Sequence, residues 1–296
     1  AAAGARVVVT SAVRDRYEGR EMAQVMSMAN VIFMAAPILA PSMGALVLMV
    51  GPWPWIFGVL ALLGLVVWAW VGLRLPESLK PENRVSITPR HVLHSFRTVA
   101  TDRQSLGYSL AMTAMVGALM GFLVSVQAIF DQTFRDAAFL PAGFALMAIG
   151  MAIASLINSQ IVMRYGMRLI GHASLIWFTV LSGIHLAVAI SGHETIWTFI
   201  GLQTLTMMGF SFAAANFGAM AMENMGGVAG TASSLQGSFS TVAGALVGTV
   251  IGTSFDGTTV PLYTGYFVGG LLALIIVLVT EGGRLFVSRH APKSGE

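Results

Sequence analysis

The chain has 296 residues, 56% hydrophobic and 10% charged, with a formal net charge of +3 and no cysteine. An ordinary soluble domain carries roughly 25% charged residues, so there are too few charges to cover a water-facing surface, and the outside is expected to be lipid. The absence of cysteine excludes a disulfide framework and a thiolate metal site.

The opening stretch, "AAAGARVVVTSAVRDRYEG", places its positive charges after the apolar run, the reverse of a secretory signal peptide. The residues before Arg14 would rise about 20 Å as a helix, short of a ~30 Å hydrocarbon core. They read as a transmembrane helix cut at its start, so an N-terminally incomplete chain is expected. Apolar runs long enough to cross follow near 26–50, 55–75, 105–130, 139–163, 169–191, 195–222, 230–254 and 262–280. The expected fold class is therefore an all-α integral membrane protein.

Residues 36–47 of the first full span read "APILAPSMGALV". Pro37 and Pro41 would each cost ~3 kcal/mol inside a soluble helix, but in lipid they are tolerated when neighbouring helices cover the freed carbonyls. Ala36, Ala40 and Gly44 stand four apart, a small-residue face that lets another helix approach closely.

The basic residues fix an orientation. With "RDRYEGRE" placed in the cytoplasm and the spans alternating from there, fourteen of the sixteen Lys and Arg residues fall on the cytoplasmic side. Only Arg135 falls in an outer loop, and Arg6 lies in the first stub. That asymmetry is the positive-inside pattern. It accounts for the basic net charge as topology, so no nucleic acid is expected as a partner. The longest non-membrane stretch, 76–102, is polar, proline-punctuated and basic. It divides the chain into 1–75, a cytoplasmic linker at 76–102, and a six-span part at 103–296.

Charged groups at membrane depth are functional hypotheses by default, and the six spans after the linker carry almost none. Asp131 and Glu223 fall at span ends and read as solvated boundary charges. His172 and His185 read as structural or interfacial. No pair or triad has catalytic spacing, and there is no phosphate-cradling glycine loop or metal-ligand cluster. Neither an enzyme nor a cofactor is expected.

"VRDRYEGREMAQVMS", "APILAPSMGALVLMVGPWPWIFGVLALLGL", "LRLPESL" and "GGVAGTASSLQGSFSTVAGALVG" together resemble the major facilitator superfamily. Within it they are similar to drug:proton antiporters of the bicyclomycin/chloramphenicol-resistance (Bcr/CflA) type. The resemblance implies the major facilitator fold, here the end of helix 4 through helix 12 of a two-times-six-helix bundle. It makes 1–75 the remainder of the N-terminal half and 103–296 the C-terminal half. The family's antiporter motif, G-x-x-x-G-P-x-x-G-G, falls on Ala36, Ala40, Pro41, Gly44 and Ala45. Only Pro41 and Gly44 match it, and Pro37 is extra; a packing and gating role is implied for Ala36, Pro37, Ala40, Pro41 and Gly44. "RYGMR" at Arg164–Arg168 resembles a decayed D-R-x-G-R-R cytoplasmic loop with Met163 at the aspartate position, so no gating chemistry is assigned there. Arg14 and Asp15 belong to the preceding cytoplasmic loop of this part of the chain.

The resemblance also implies a substrate pathway. Arg6 is read either as snorkelling to the interface or as facing the cavity toward an acidic group. Helix 7 would present Thr113, Val116, Met120, Val124 and Gln127 on one face, and helix 10 would present Gln203, Met207, Phe210, Ala214 and Phe217. Such stripes are also what helix packing produces. Met, Phe and amides without charge suit bulky lipophilic ligands, and Asn30, Asn158, Asn216 and Gln236 are further candidates. No mid-span carboxylate is present, so a coupling acid is expected upstream of residue 1.

The resulting expectation is a multi-pass transporter of the bacterial inner membrane, monomeric, whose partners are the lipid bilayer, small amphipathic substrates and protons. It would export amphipathic drugs or toxic compounds in exchange for protons. The alternatives are an exporter of one specific small metabolite and a non-transporting membrane fragment.

Overall fold

Each described apolar run forms a helix whose ends are set by identifiable residues. The computed structural model describes residues 43–44, 46–74, 96–225 and 228–286. The chain divides into two compact units, Ala1–Ile87 and Thr88–Glu296, with the division inside the proline-punctuated stretch at 76–102.

In the first unit a helical segment at 46–50 stops at Gly51 and Pro52, and α1 (Pro54–Arg74) follows. α1 carries no charge before Arg74. At 1.5 Å per residue it is about 31 Å long, matching a hydrocarbon core.

The second unit contains α2 (Arg103–Ala128), α3 (Leu140–Tyr165), α4 (Met167–Ser191), α5 (Ile196–Met222), α6 (Ala229–Thr253) and α7 (Val260–Thr280). Asp102 caps α2 by accepting a hydrogen bond from the Ser105 amide at 2.7 Å, which satisfies one of the orphan donors of the first turn. Thr195 and Thr198 form a reciprocal capping box at the start of α5. Pro141 and Pro261 stand in the first turns of α3 and α7, where the missing amide hydrogen is not needed. α2 continues into a π-helical turn, Ile129–Thr133. Gly166 joins α3 to α4 with φ 81° and ψ 154°, a region that essentially only glycine occupies. All seven labelled helices are long and apolar enough to cross a membrane, as the sequence led us to expect. The expected span at 26–50 lies mostly outside the described residues.

Within the second unit α2 packs on α5, α6 and α7; α5 packs on α2, α3 and α4; and α4 packs on α7. Tyr108, Met115, Phe130, Phe178, Phe199, Met207, Phe217, Tyr263 and Tyr266 fill the core. Around them, Leu123, Leu156, Val180, Ile190, Val242, Val250 and Ile275 are exposed. An apolar interior inside an apolar exterior is what lipid as solvent demands.

The α2–α6 seam is closely packed. On α2, Val116, Met120 and Val124 lie over Gly244, Gly248 and Gly252 of α6. In return, Val247 and Ile251 of α6 lie over Gly117 and Gly121 of α2. Small residues on each helix admit the other's larger side chains, so the backbones come close together. Two polar contacts extend the seam: Thr113 Oγ1 to Ser240 Oγ at 2.9 Å, and Gln236 Nε2 donating to Ser105 Oγ at 2.8 Å.

Candidate functional site

Polar side chains in the second unit gather at its two ends. At the basic end, Arg168 in the first turn of α4 is 8% exposed. Its Nη2 lies 3.1 Å from Glu223 Oε2 and its Nε lies 3.4 Å from Glu281 Oε1. The same Nη2 donates to Gln104 Oε1 at 3.2 Å. Gln104 Nε2 in turn donates to the Met220 carbonyl at 3.0 Å and to Glu223. Tyr108 donates its hydroxyl proton to Glu281 Oε1 at 2.8 Å and lies 2.9 Å from His172 Nε2. The Phe286 amide donates to His172 Nδ1 at 3.1 Å, so Nε2 carries the ring hydrogen and donates to Tyr108, which makes His172 neutral. The cluster ties α2, α4 and the ends of α5 and α7 together. A guanidinium suits this place, because its planar fork serves several acceptors while remaining charged.

The cluster adds partners to two readings of the sequence. Glu223 stands exposed at the helix end, as expected of a boundary charge, but its carboxylate also pairs with Arg168. The "RYGMR" loop lacks an aspartate, yet Arg168 finds carboxylates on two other helices. Arg164, by contrast, is exposed and lies over the Tyr165 ring at 5.4 Å. The signal available in the sequence was that Arg168, Glu223 and Glu281 all fall at span ends on one side of the membrane.

At the opposite end, His185 of α4 is fully buried and its Nε2 lies 2.6 Å from Glu194 Oε1. Glu194 belongs to the loop before α5, and its other oxygen accepts the Thr259 hydroxyl. The His185 ring stacks on Tyr263 at 3.4 Å between centroids. Tyr263 donates to Gln203 Oε1 at 3.0 Å, and Gln203 Nε2 donates to the Tyr266 hydroxyl at 3.0 Å. A line of polar groups thus runs from Glu194 into the middle of the unit. The sequence reading of His185 missed Glu194, which local spacing along a helix does not reveal.

The residues expected along a substrate pathway separate into two sets. Gln127 is exposed at the end of α2, whereas Met120 is half-buried against Gly248. Gln203, Met207, Phe210 and Phe217 are buried in the core of the unit. Gln203 is held by the two tyrosines, and Phe217 packs on Tyr108. Asn216 donates to Asn158 Oδ1 at 2.8 Å, an interhelical bond between α5 and α3. Gly44 is helical, with nothing within 4 Å of where a Cβ would stand among the described residues. Arg6, Arg14, Asp15, Asn30, Ala36, Pro37, Ala40 and Pro41 lie outside the described residues. Between α3 and α4, over α5, runs an apolar cleft of about 390 Å³ lined by Tyr165, Leu169, Trp177 and Phe212 among others. Among the described residues no group of three His, Asp or Glu side chains could hold a metal ion.

Helices with apolar exteriors, each long enough to cross a bilayer, and a basic bias at one end define a multi-pass membrane protein. Comparison with known sequences gives the family: the Major Facilitator Superfamily pattern matches residues 1–249, and the chain belongs to that superfamily. A bicyclomycin resistance protein homolog from Haemophilus influenzae is 28% identical over 93% of this chain and 69% of its own length. Multidrug resistance protein MdtL from Shewanella oneidensis is 26% identical over 97% of this chain and 72% of its own length. Chloramphenicol resistance protein CraA from Acinetobacter baumannii is 32% identical over 34% of this chain and 24% of its own length.

Proposed function

We propose that this protein exports small amphipathic drugs or toxic compounds from the bacterial inner membrane in exchange for protons, and that it works as a monomer. The observation that carries this reading is the match over more than nine-tenths of the chain to relatives named for drug resistance. Uncharged, Met- and Phe-rich helix faces support it, because they accommodate lipophilic ligands of varied shape.

In this reading 1–75 and 103–296 belong to two halves that rock about a site near the midplane, joined by the cytoplasmic stretch at 76–102. Gln127 and Met120 meet substrate from α2. Gln203, Met207, Phe210 and Phe217 hold α5 in place from behind. Arg6 and Asn30 contribute from the first half. Ala36, Pro37, Ala40, Pro41 and Gly44 form the close-packing seam that gates the halves, and Arg14, Asp15, Arg164 and Arg168 serve the cytoplasmic loops.

The test is expression of the complete gene in an efflux-deficient bacterial host. Resistance to lipophilic drugs such as chloramphenicol should rise, and energised inverted vesicles should release protons when drug is added. Unchanged resistance to every lipophilic drug tried would overturn the export reading. Gly44→Leu should abolish export while the protein still inserts; retained export would remove the seam from the mechanism.

A further inference from the structure

Buried charges in a low-dielectric interior need a counter-charge or a proton. Glu194 is 7% exposed at its side chain and has neither Lys nor Arg within ion-pair distance among the described residues. Its two oxygens face His185 Nε2 and the Thr259 hydroxyl. His185 is fully buried, and its Nδ1 has no hydrogen-bond partner among the described residues. With a neutral imidazole donating from Nε2, the pair carries one uncompensated negative charge inside the unit. One added proton makes the pair neutral, either as imidazolium beside carboxylate or as imidazole beside carboxylic acid. In such a coupled pair the proton belongs to both groups.

We propose that Glu194 and His185 form a proton-binding site at the outer end of the second unit, with its occupancy setting the packing of α4, α5 and α7. The surroundings isolate the pair. α5 presents Phe199, whose ring lies 5.8 Å from that of His185. α7 presents Tyr263 and, one hydrogen bond further, Tyr266 by way of Gln203. The other charged or titratable groups of that end, Asp131, Arg135, Asp136, His193 and Asp256, make no ion pair or hydrogen bond with it. Glu194 lies in a loop whose neighbours Ser191, Gly192 and His193 are exposed, so water reaches within a residue or two of the carboxyl.

Inward, the route is a stack and two hydrogen bonds. The imidazole lies against the Tyr263 ring, Tyr263 donates to Gln203, and Gln203 donates to Tyr266, which stacks on Phe178 of α4. A change of charge on the imidazole alters its attraction to the Tyr263 ring face and thereby the hydroxyl that holds Gln203 on α5. The site's part in transport rests on the proton-coupled reading above, but its proton occupancy does not.

The experiment is infrared difference spectroscopy of the purified complete protein in lipid nanodiscs, titrated between about pH 5 and pH 8, where an imidazole ordinarily changes charge. A band of the protonated pair, imidazolium or carboxylic acid, should grow as pH falls and should be lost in Glu194→Gln. Its midpoint should move in His185→Gln and in Thr259→Val, two variants that leave the carboxyl in place. If wild type and Glu194→Gln give the same spectra across the range, there is no proton site, whether or not the protein exports drugs. A titrating band with no drug-driven proton flux would instead overturn the antiport reading and leave the site standing. If the band titrates but His185→Gln exports with the wild-type pH profile, the link from the pair to α5 and α7 is overturned.

Discussion

Replacing Gly248 by alanine tests whether the α2–α6 seam holds the second unit together. A Cβ at this position would stand 2.3 Å from Met120 Cβ and 2.8 Å from both Gly121 N and Met120 C. Carbon atoms are in optimal contact at roughly 3.5–4.0 Å, so the helices must part by more than about 1 Å. No rotamer change removes the clash, because the opposing atoms are backbone and Cβ. Overpacking of this kind costs ~1–3 kcal/mol. Parting the helices also strains Thr113–Ser240 and Gln236–Ser105, each worth about 0.6 kcal/mol in a membrane bundle. Alanine returns ~0.5–1 kcal/mol of helix propensity. The net expectation is about 1–3 kcal/mol of destabilisation, roughly one to two powers of ten in the folded ratio. Gly237 is in the same helix with nothing among the described residues within 4 Å of its Cβ position, so Gly237→Ala should be neutral or slightly stabilising. The assay is thermal unfolding of the two purified variants in one detergent, read by fluorescence and by loss of the monodisperse peak. Equal stability of Gly248→Ala and Gly237→Ala would refute the seam argument.

Arg168→Ala removes the guanidinium that Glu223 and Glu281 share and should cost about 1.5–3 kcal/mol, the range for hydrogen bonds to charged groups; Arg168→Lys should recover only part of this, because an ammonium cannot reproduce the fork. Both are read by the same thermal assay, and wild-type stability of either would remove the cluster from the account. Gly166→Ala should cost ~1–3 kcal/mol although space for the methyl is open, since φ 81° with ψ 154° is strained for any residue with a Cβ. Gly218→Ala, equally uncrowded and within α5, is its control. In the loop before α7, the Thr258 hydroxyl and amide donate to Asp256 Oδ1 at 2.6 and 3.0 Å and hold its carboxyl below its ordinary 3.8. The stabilisation from that depressed value is present above 3.8 and is lost as pH falls through the lowered folded value. Thr258→Ala should move the Asp256 titration back toward 3.8, measured by carboxyl-carbon NMR; an unmoved titration would rule out the hydroxyl as its cause.

The spans were legible because lipid imposes one requirement on each of them, a run of apolar residues of matching length, and that requirement is local. The contacts between spans were not, because a helical period gives a face without naming its neighbour. Val116, Met120 and Val124 stand at helical spacing and were read both as a cavity face and as packing; in the structure they lie on Gly244, Gly248 and Gly252. That partner was visible in principle, since three glycines four apart on α6 are the complement of three branched or long side chains four apart on α2.

The charged groups followed a different logic. Arg168 lies 55 residues from Glu223 and 113 from Glu281, beyond any motif, but positive-inside topology already placed all three at the same face of the membrane. His185 and Glu194 are nine residues apart, too far for neighbours on one helix, and they meet because the chain turns at Gly192, with φ 70°, and carries the carboxyl back over the end of α4. In a chain with this few charges, the membrane confines them to two planes, so a buried charge at a helix end has few possible partners. Sorting ionisable residues by membrane face before searching for motifs would have brought Arg168 together with Glu223 and Glu281, and His185 with Glu194. The same sorting places Tyr108 and His172 beside the first cluster and Thr259 and Tyr263 beside the second, which is where the hydrogen bonds of both clusters are completed.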